Sequence, residues 1–215
     1  MNDKRKLTVA VLVAAFLWFV MFSPWTGGRL NFWLEMSCAA LVLTSLTMAF
    51  TPDRKALFAV ERPGLQILAG IGIAIALWGV FWVGDRISSL MFDFARPEVD
   101  AVYAMKTGLP SEIIALLLLL LIGPAEELFW RGYVQRTLTK HLTLNTKHAS
   151  ALAFVATTLI YALVHIWSFN FMLVMAALVA GAVWGFLYSF NPKYLPALVV
   201  SHALWDALVF VIMPI

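Results

Sequence analysis

Seven long apolar runs, at 7–22, 32–50, 65–83, 113–135, 149–167, 171–190 and 194–213, constrain this chain more than any other feature of its sequence. A helix needs about 20 residues to cross the hydrocarbon core of a bilayer, and each run is close to that length. None alternates with period two, which argues against a barrel whose strands face lipid and lumen in turn. Hydrophobic residues make up 62% of the 215 positions and charged residues 13%, against about 25% charged in a typical soluble domain. Mean hydropathy is +0.88. A soluble fold of this length cannot hide that much apolar surface, so the solvent must be lipid. The expected class is an all-α membrane protein with about seven transmembrane helices. No stretch reads as a separate soluble domain or a nucleic-acid-binding patch.

The connections between runs are polar and rich in helix breakers, as at Pro24 with Gly27 and Gly28, at Pro52-Asp53-Arg54-Lys55 and at Asn191-Pro192-Lys193. The longest, 84–111, carries Asp85, Arg86, Asp93, Arg96, Glu98, Asp100 and Lys106. Its apolar positions Ile87, Leu90, Met91 and Phe94 have helical spacing, which predicts a segment lying on the membrane surface. The basic start Met1–Lys6 is followed by an apolar run without an A-x-A-like cleavage site, so the first run is expected to be a retained helix. Cys38 is a lone cysteine in an apolar run and supports no disulfide framework. Lysine and arginine cluster at the start, in the second-to-third connection (Arg54, Lys55, Arg62), in the fourth-to-fifth (Arg136, Lys140, Lys147) and at Lys193. With seven crossings these all share one side. Cytoplasmic loops carry the excess of Lys and Arg, so the N-terminus is expected in the cytoplasm of a multi-pass plasma-membrane protein, bacterial or archaeal.

Ionisable side chains inside spans are costly and commonly functional. Here they concentrate in the last four runs: Glu126, Glu127 and Arg131 in the fourth, His165 in the fifth, His202 and Asp206 in the seventh. Residues four apart share a helix face, so Glu127 and Arg131 can pair and neutralise each other. Glu126 is turned about 100° away, with Trp130 as its neighbour at that spacing, and is left available for proton transfer. His202 and Asp206 are again four apart, and Asp206 can orient the imidazole. Tyr161 and His165 repeat the spacing. Gly181 and Gly185 form a G-x-x-x-G that predicts close helix packing, which would let the helices of His165 and His202 approach each other. H-E-x-x-H, the usual zinc helix, is absent from the sequence, and so is G-x-S-x-G. Ser201 cannot face the adjacent His202 on one helix.

These residues resemble the motifs of the CPBP intramembrane proteases, a family that includes the type II CAAX prenyl endopeptidases and the abortive-infection-like proteins. The first motif, E-E-x-x-x-R, reads Glu126-Glu127-Leu128-Phe129-Trp130-Arg131. The second, F-x-x-x-H, reads Tyr161-Ala162-Leu163-Val164-His165, with Tyr in place of the usual Phe. The third reads His202-Ala203-Leu204-Trp205-Asp206, with Asp where Asn is common. The resemblance runs from about Glu112 onward. It implies a four-helix catalytic core, 112–215, which is expected to form one integrated domain with the transmembrane helices and surface segment that hydropathy places in 1–111. It also implies hydrolysis of a peptide bond in a membrane-associated protein or peptide by a glutamate-activated water. Carried over, Glu126 is the general base, His165 helps hold the water, His202 and Asp206 stabilise the oxyanion, and Glu127 and Arg131 support the site. That chemistry needs no metal, and none is expected, although two His and two Glu could hold zinc.

Two other readings use the same residues. Intramembrane Glu, His and Asp chains also serve proton-coupled transporters, but the two halves of the chain show none of the inverted similarity common in those proteins. A catalytically silent scaffold or immunity protein would be expected to have lost a motif residue, and all are present. A turn near Asn145 sets Glu126 and His165 at about 30 Å of helix each. His202 lies about 15 Å beyond Pro192 by the same rise. The site is therefore expected near the membrane midplane or somewhat outside it.

Overall fold

The computed structural model describes residues 1–143 and 148–215; the turn predicted near Asn145 and the charge of Lys147 lie outside the described residues. Regular structure among the described residues is helical throughout. Among the described residues seven helices are long and apolar enough to span a membrane: α1 (Asp3–Phe22), α2 (Phe32–Phe50), α3 (Pro63–Met91), α5 (Ser111–Thr143), α6 (Ala149–Ser168), α7 (Phe171–Phe190) and α8 (Pro192–Ile212). A shorter helix, α4 (Ala95–Tyr103), lies between α3 and α5. Starts are fixed by side-chain caps. Asn2, Asn31 and Asn170 each accept from a backbone N–H of the first turn of α1, α2 and α7, satisfying donors that a helix start leaves open.

The surface segment differs from the sequence expectation. Ile87, Leu90 and Met91 belong to the end of α3, which runs 29 residues, about 43 Å at helical rise and longer than the ~30 Å hydrocarbon core. The polar residues Asp85 and Arg86 therefore interrupt the hydropathy of the run without ending the helix. α4 is pinned across the bundle end beyond it. Arg96 reaches Asp85 of α3 at 3.3 Å. Glu98 accepts from Met172 N at 2.8 Å, and Tyr103 donates to Val209 O at 2.9 Å. The side of the bundle that α4 covers thus holds the end of α1, the start of α2, the ends of α3 and α6, the start of α7 and the end of α8.

The N-terminal helices are packed into the rest of the bundle. α3 lies along α8, and α1 lies against α2 and the His165 end of α6. Two buried aromatic clusters hold these contacts, one with Trp18, Phe129, Trp130 and Tyr161, the other with Trp184, Leu198 and Trp205.

Candidate active site

α5 is not a uniform α-helix. Pro124 lacks the N–H that would bond back to residue 120 and its ring crowds that carbonyl. The preceding turn widens to a π geometry over Leu118–Ile122, in which Gly123 N reaches back to Leu118 O. A second widened stretch covers Leu128–Gln135. Such widened turns recur at functional sites. At Gly123 a Cβ would fall 2.6 Å from Ala203 Cα, so α5 and α8 meet backbone to backbone. That approach brings Glu127 to His202, a pairing across 75 residues that no local spacing announces.

Glu127 and Arg131 are fully buried. Glu127 Oε1 accepts from Arg131 Nη1 at 2.7 Å and from His202 Nδ1 at 2.9 Å. Arg131 Nη2 donates to Gly181 O at 3.0 Å, and its guanidinium lies over the rings of Tyr161 and Trp184 at 5.2 and 5.5 Å. Trp184 in turn stacks on His202 with centroids 3.9 Å apart and donates its indole N–H to Ser201 Oγ at 3.1 Å. The remaining His202 nitrogen, Nε2, faces Asp206 Oδ2 at 3.5 Å. With Nδ1–H given to Glu127, a hydrogen bond on that second edge requires one proton, on the imidazole or on the carboxyl. This pair can therefore present a proton to a group placed beside it.

Glu126 points the other way, into a cavity of about 470 Å³ whose wall also includes Tyr161, His165, His202 and Asp206. It is 4% exposed. The Tyr161 side chain shares its wall of the cavity, and Glu126 Oε2 bonds to no group among the described residues. Elsewhere the cavity is lined mostly by apolar side chains, among them Phe81, Met172, Met175 and Phe210, with Asp85, Ser88 and Tyr103 on the wall near α4. Four of the six residues singled out from sequence therefore face one cavity, and Glu127 and Arg131 stand behind it.

His165 is held at both ring nitrogens. Nδ1 is 2.8 Å from Tyr161 O, so it carries the hydrogen, and Nε2 accepts from the indole N–H of Trp18 at 2.9 Å. Tyr161 thus engages His165 through its backbone, and its side chain lines the cavity beside Glu126. Trp18 was invisible to motif reasoning, because one Trp in an apolar run reads as packing. Trp184 escaped it for the same reason. The G-x-x-x-G also serves a different contact from the one expected. A Cβ on Gly181 would meet Tyr161 and Arg131, and one on Gly185 would meet Phe154, Gln135 and Thr158. The glycines bring α7 against α5 and α6, while His202 is reached by the Trp184 side chain between them.

Removing the Trp18 N–H leaves a buried imidazole acceptor unpaired, which costs about 1–3 kcal/mol. Trp18→Phe is expected to lower the melting temperature in detergent. The same loss is expected in His165→Phe, and the double mutant should cost less than the sum of the two. Additive losses would show that the two rings do not act through this bond.

Among the described residues no three His, Cys, Asp or Glu side chains are grouped to hold a metal ion, and His165 and His202 have both ring nitrogens engaged.

Residues 109–208 match the family described as Type II CAAX prenyl endopeptidase Rce1-like, and all six residues singled out from sequence fall within that span. Trp18 falls outside it. No curated protein and no solved structure matches the chain.

Proposed function

We propose that this chain, whose residues 109–208 match the Rce1-like endopeptidase family, is an intramembrane endopeptidase that hydrolyses a peptide bond of a membrane-associated protein or peptide with a glutamate-activated water. The observation that carries the reading is Glu126, a buried carboxylate on the wall of a mostly apolar cavity, with no salt-bridge partner among the described residues and with the His202–Asp206 pair on the same wall. Glu126 takes a proton from water as the oxygen attacks the scissile carbonyl. The His202–Asp206 pair offers its proton to the oxyanion, a stabilisation that is strong where water is excluded. On collapse the C–N bond breaks and Glu126 passes its proton to the leaving amine, so one water is consumed per bond cut. The Tyr161 hydroxyl orients the carboxylate, and Glu127 with Arg131 holds His202 in place. His165, engaged on both nitrogens, positions Tyr161 and contacts the water only when Trp18 releases Nε2.

A proton-coupled transporter would need a polar route to the other face. Beyond Glu126 the next polar groups, Glu127, Arg131 and Gln135, are all buried and packed, and the cavity ends before them. The N-terminus is assigned to the cytoplasm on the basic connections.

Membrane proteomes of cells carrying the wild-type chain or Glu126→Gln test the reading. An uncut membrane precursor is expected to accumulate in the variant only, and identical proteomes would count against proteolysis. No stoichiometric metal is expected. One zinc per chain in purified active protein, with activity lost on chelation, would overturn the metal-free mechanism.

A further inference from the structure

The cavity wall lies entirely in the half of the bundle that α4 covers. α1 contributes Phe22, its last residue, α2 reaches it only as far as Met36, and α3 only over 80–88. α7 enters only over 171–180, and α8 only from His202 onward. No residue from the opposite ends of these helices takes part. Lysine and arginine are sorted the other way. Lys4, Arg5, Lys6, Arg54, Lys55, Arg62, Arg136, Lys140 and Lys193 sit at the opposite end. The α4 end holds Arg29, Arg86, Arg96 and Lys106 among Asp85, Asp93, Glu98, Asp100 and Glu112. Cytoplasmic loops carry the Lys and Arg excess, and acidic residues contribute little to the rule. The basic end therefore faces the cytoplasm and the cavity faces away from it.

The entrance is lateral. α4 is tied across the bundle end through Glu98 to α7 and through Tyr103 to α8. Between α3 and α7, however, the wall includes Val80 and Phe171, which are 52% and 54% exposed on the outer surface of the bundle. From that surface the lining runs inward over Phe81, Met175 and Ala180 to Asp206 and Glu126. An apolar anchor can lie along this wall with a peptide bond at its inner, polar end.

We propose that the cavity opens into the extracytoplasmic half of the membrane between α3 and α7, and that the substrates are exported proteins or peptides whose scissile segment adjoins a membrane anchor in that half. What happens to such a substrate rests on the proteolytic reading above. The side it comes from does not.

Two single cysteines in a Cys38→Ala background decide the side. Ala101→Cys places a thiol at an exposed position of α4, and Ala56→Cys places one at an exposed position of the basic end. With a membrane-impermeant maleimide on intact cells, Ala101→Cys is expected to label and Ala56→Cys only after permeabilisation. The reverse pattern overturns the proposal. The precursors that accumulate with Glu126→Gln are expected to carry their uncut segment on the extracytoplasmic face, and precursors uncut only on the cytoplasmic face would also overturn it. If nothing accumulates, the proteolytic reading fails, and the labelling still decides the side.

Discussion

Glu126→Gln is expected to abolish cleavage while the protein inserts and melts like the wild type. The substitution keeps the shape of the side chain and removes only its ability to take a proton. Folding has little to lose, because Glu126 makes no salt bridge among the described residues, its Oε2 bonds to none of them, and it lines a cavity. Catalysis has much to lose, because a positioned acid–base group contributes about 10²- to 10⁴-fold. The check is the cleavage rate of a purified precursor by wild-type and variant protein in the same detergent, with thermal unfolding of both. A variant that cleaves at the wild-type rate would remove Glu126 from the mechanism.

The second large effect belongs to the charges behind the cavity. Glu127→Ala leaves the Arg131 guanidinium buried with only the Gly181 carbonyl and two aromatic faces. Arg131→Ala leaves Glu127 with His202 alone. Stripping one partner from a buried ion pair costs about 3–5 kcal/mol, so each single variant should unfold at markedly lower temperature and lose cleavage as well. Arg131→Lys should not rescue. Arg131 serves Glu127 and Gly181 with separate nitrogens, and an ammonium cannot span both in that planar geometry. The contrast with Glu126→Gln is the point of the pair: one adjacent carboxylate is expected to fail in rate alone, the other in stability and rate together. Unchanged melting in both Glu127→Ala and Arg131→Ala would show that the ionic pairing does not hold the core.

The sequence by itself determined whatever depends on composition or on spacing along one helix. Seven spans follow from run length, since lipid leaves no other way to satisfy the backbone of a long apolar segment. The turn of about 100° between Glu126 and Glu127 follows from helix geometry, as does the pairing of Glu127 with Arg131 on one face. Tertiary structure alone decided what depends on contacts between distant helices. Glu127 binds His202 because Gly123 lets α5 and α8 touch at Ala203, and Trp18 reaches His165 because α1 packs on the end of α6. Gly181 and Gly185 announced a close contact but not its partner, since a small residue permits approach without choosing what approaches. Which half of the bundle holds the cavity was likewise set by how the helices around Glu126 assemble, a property that no single segment carries.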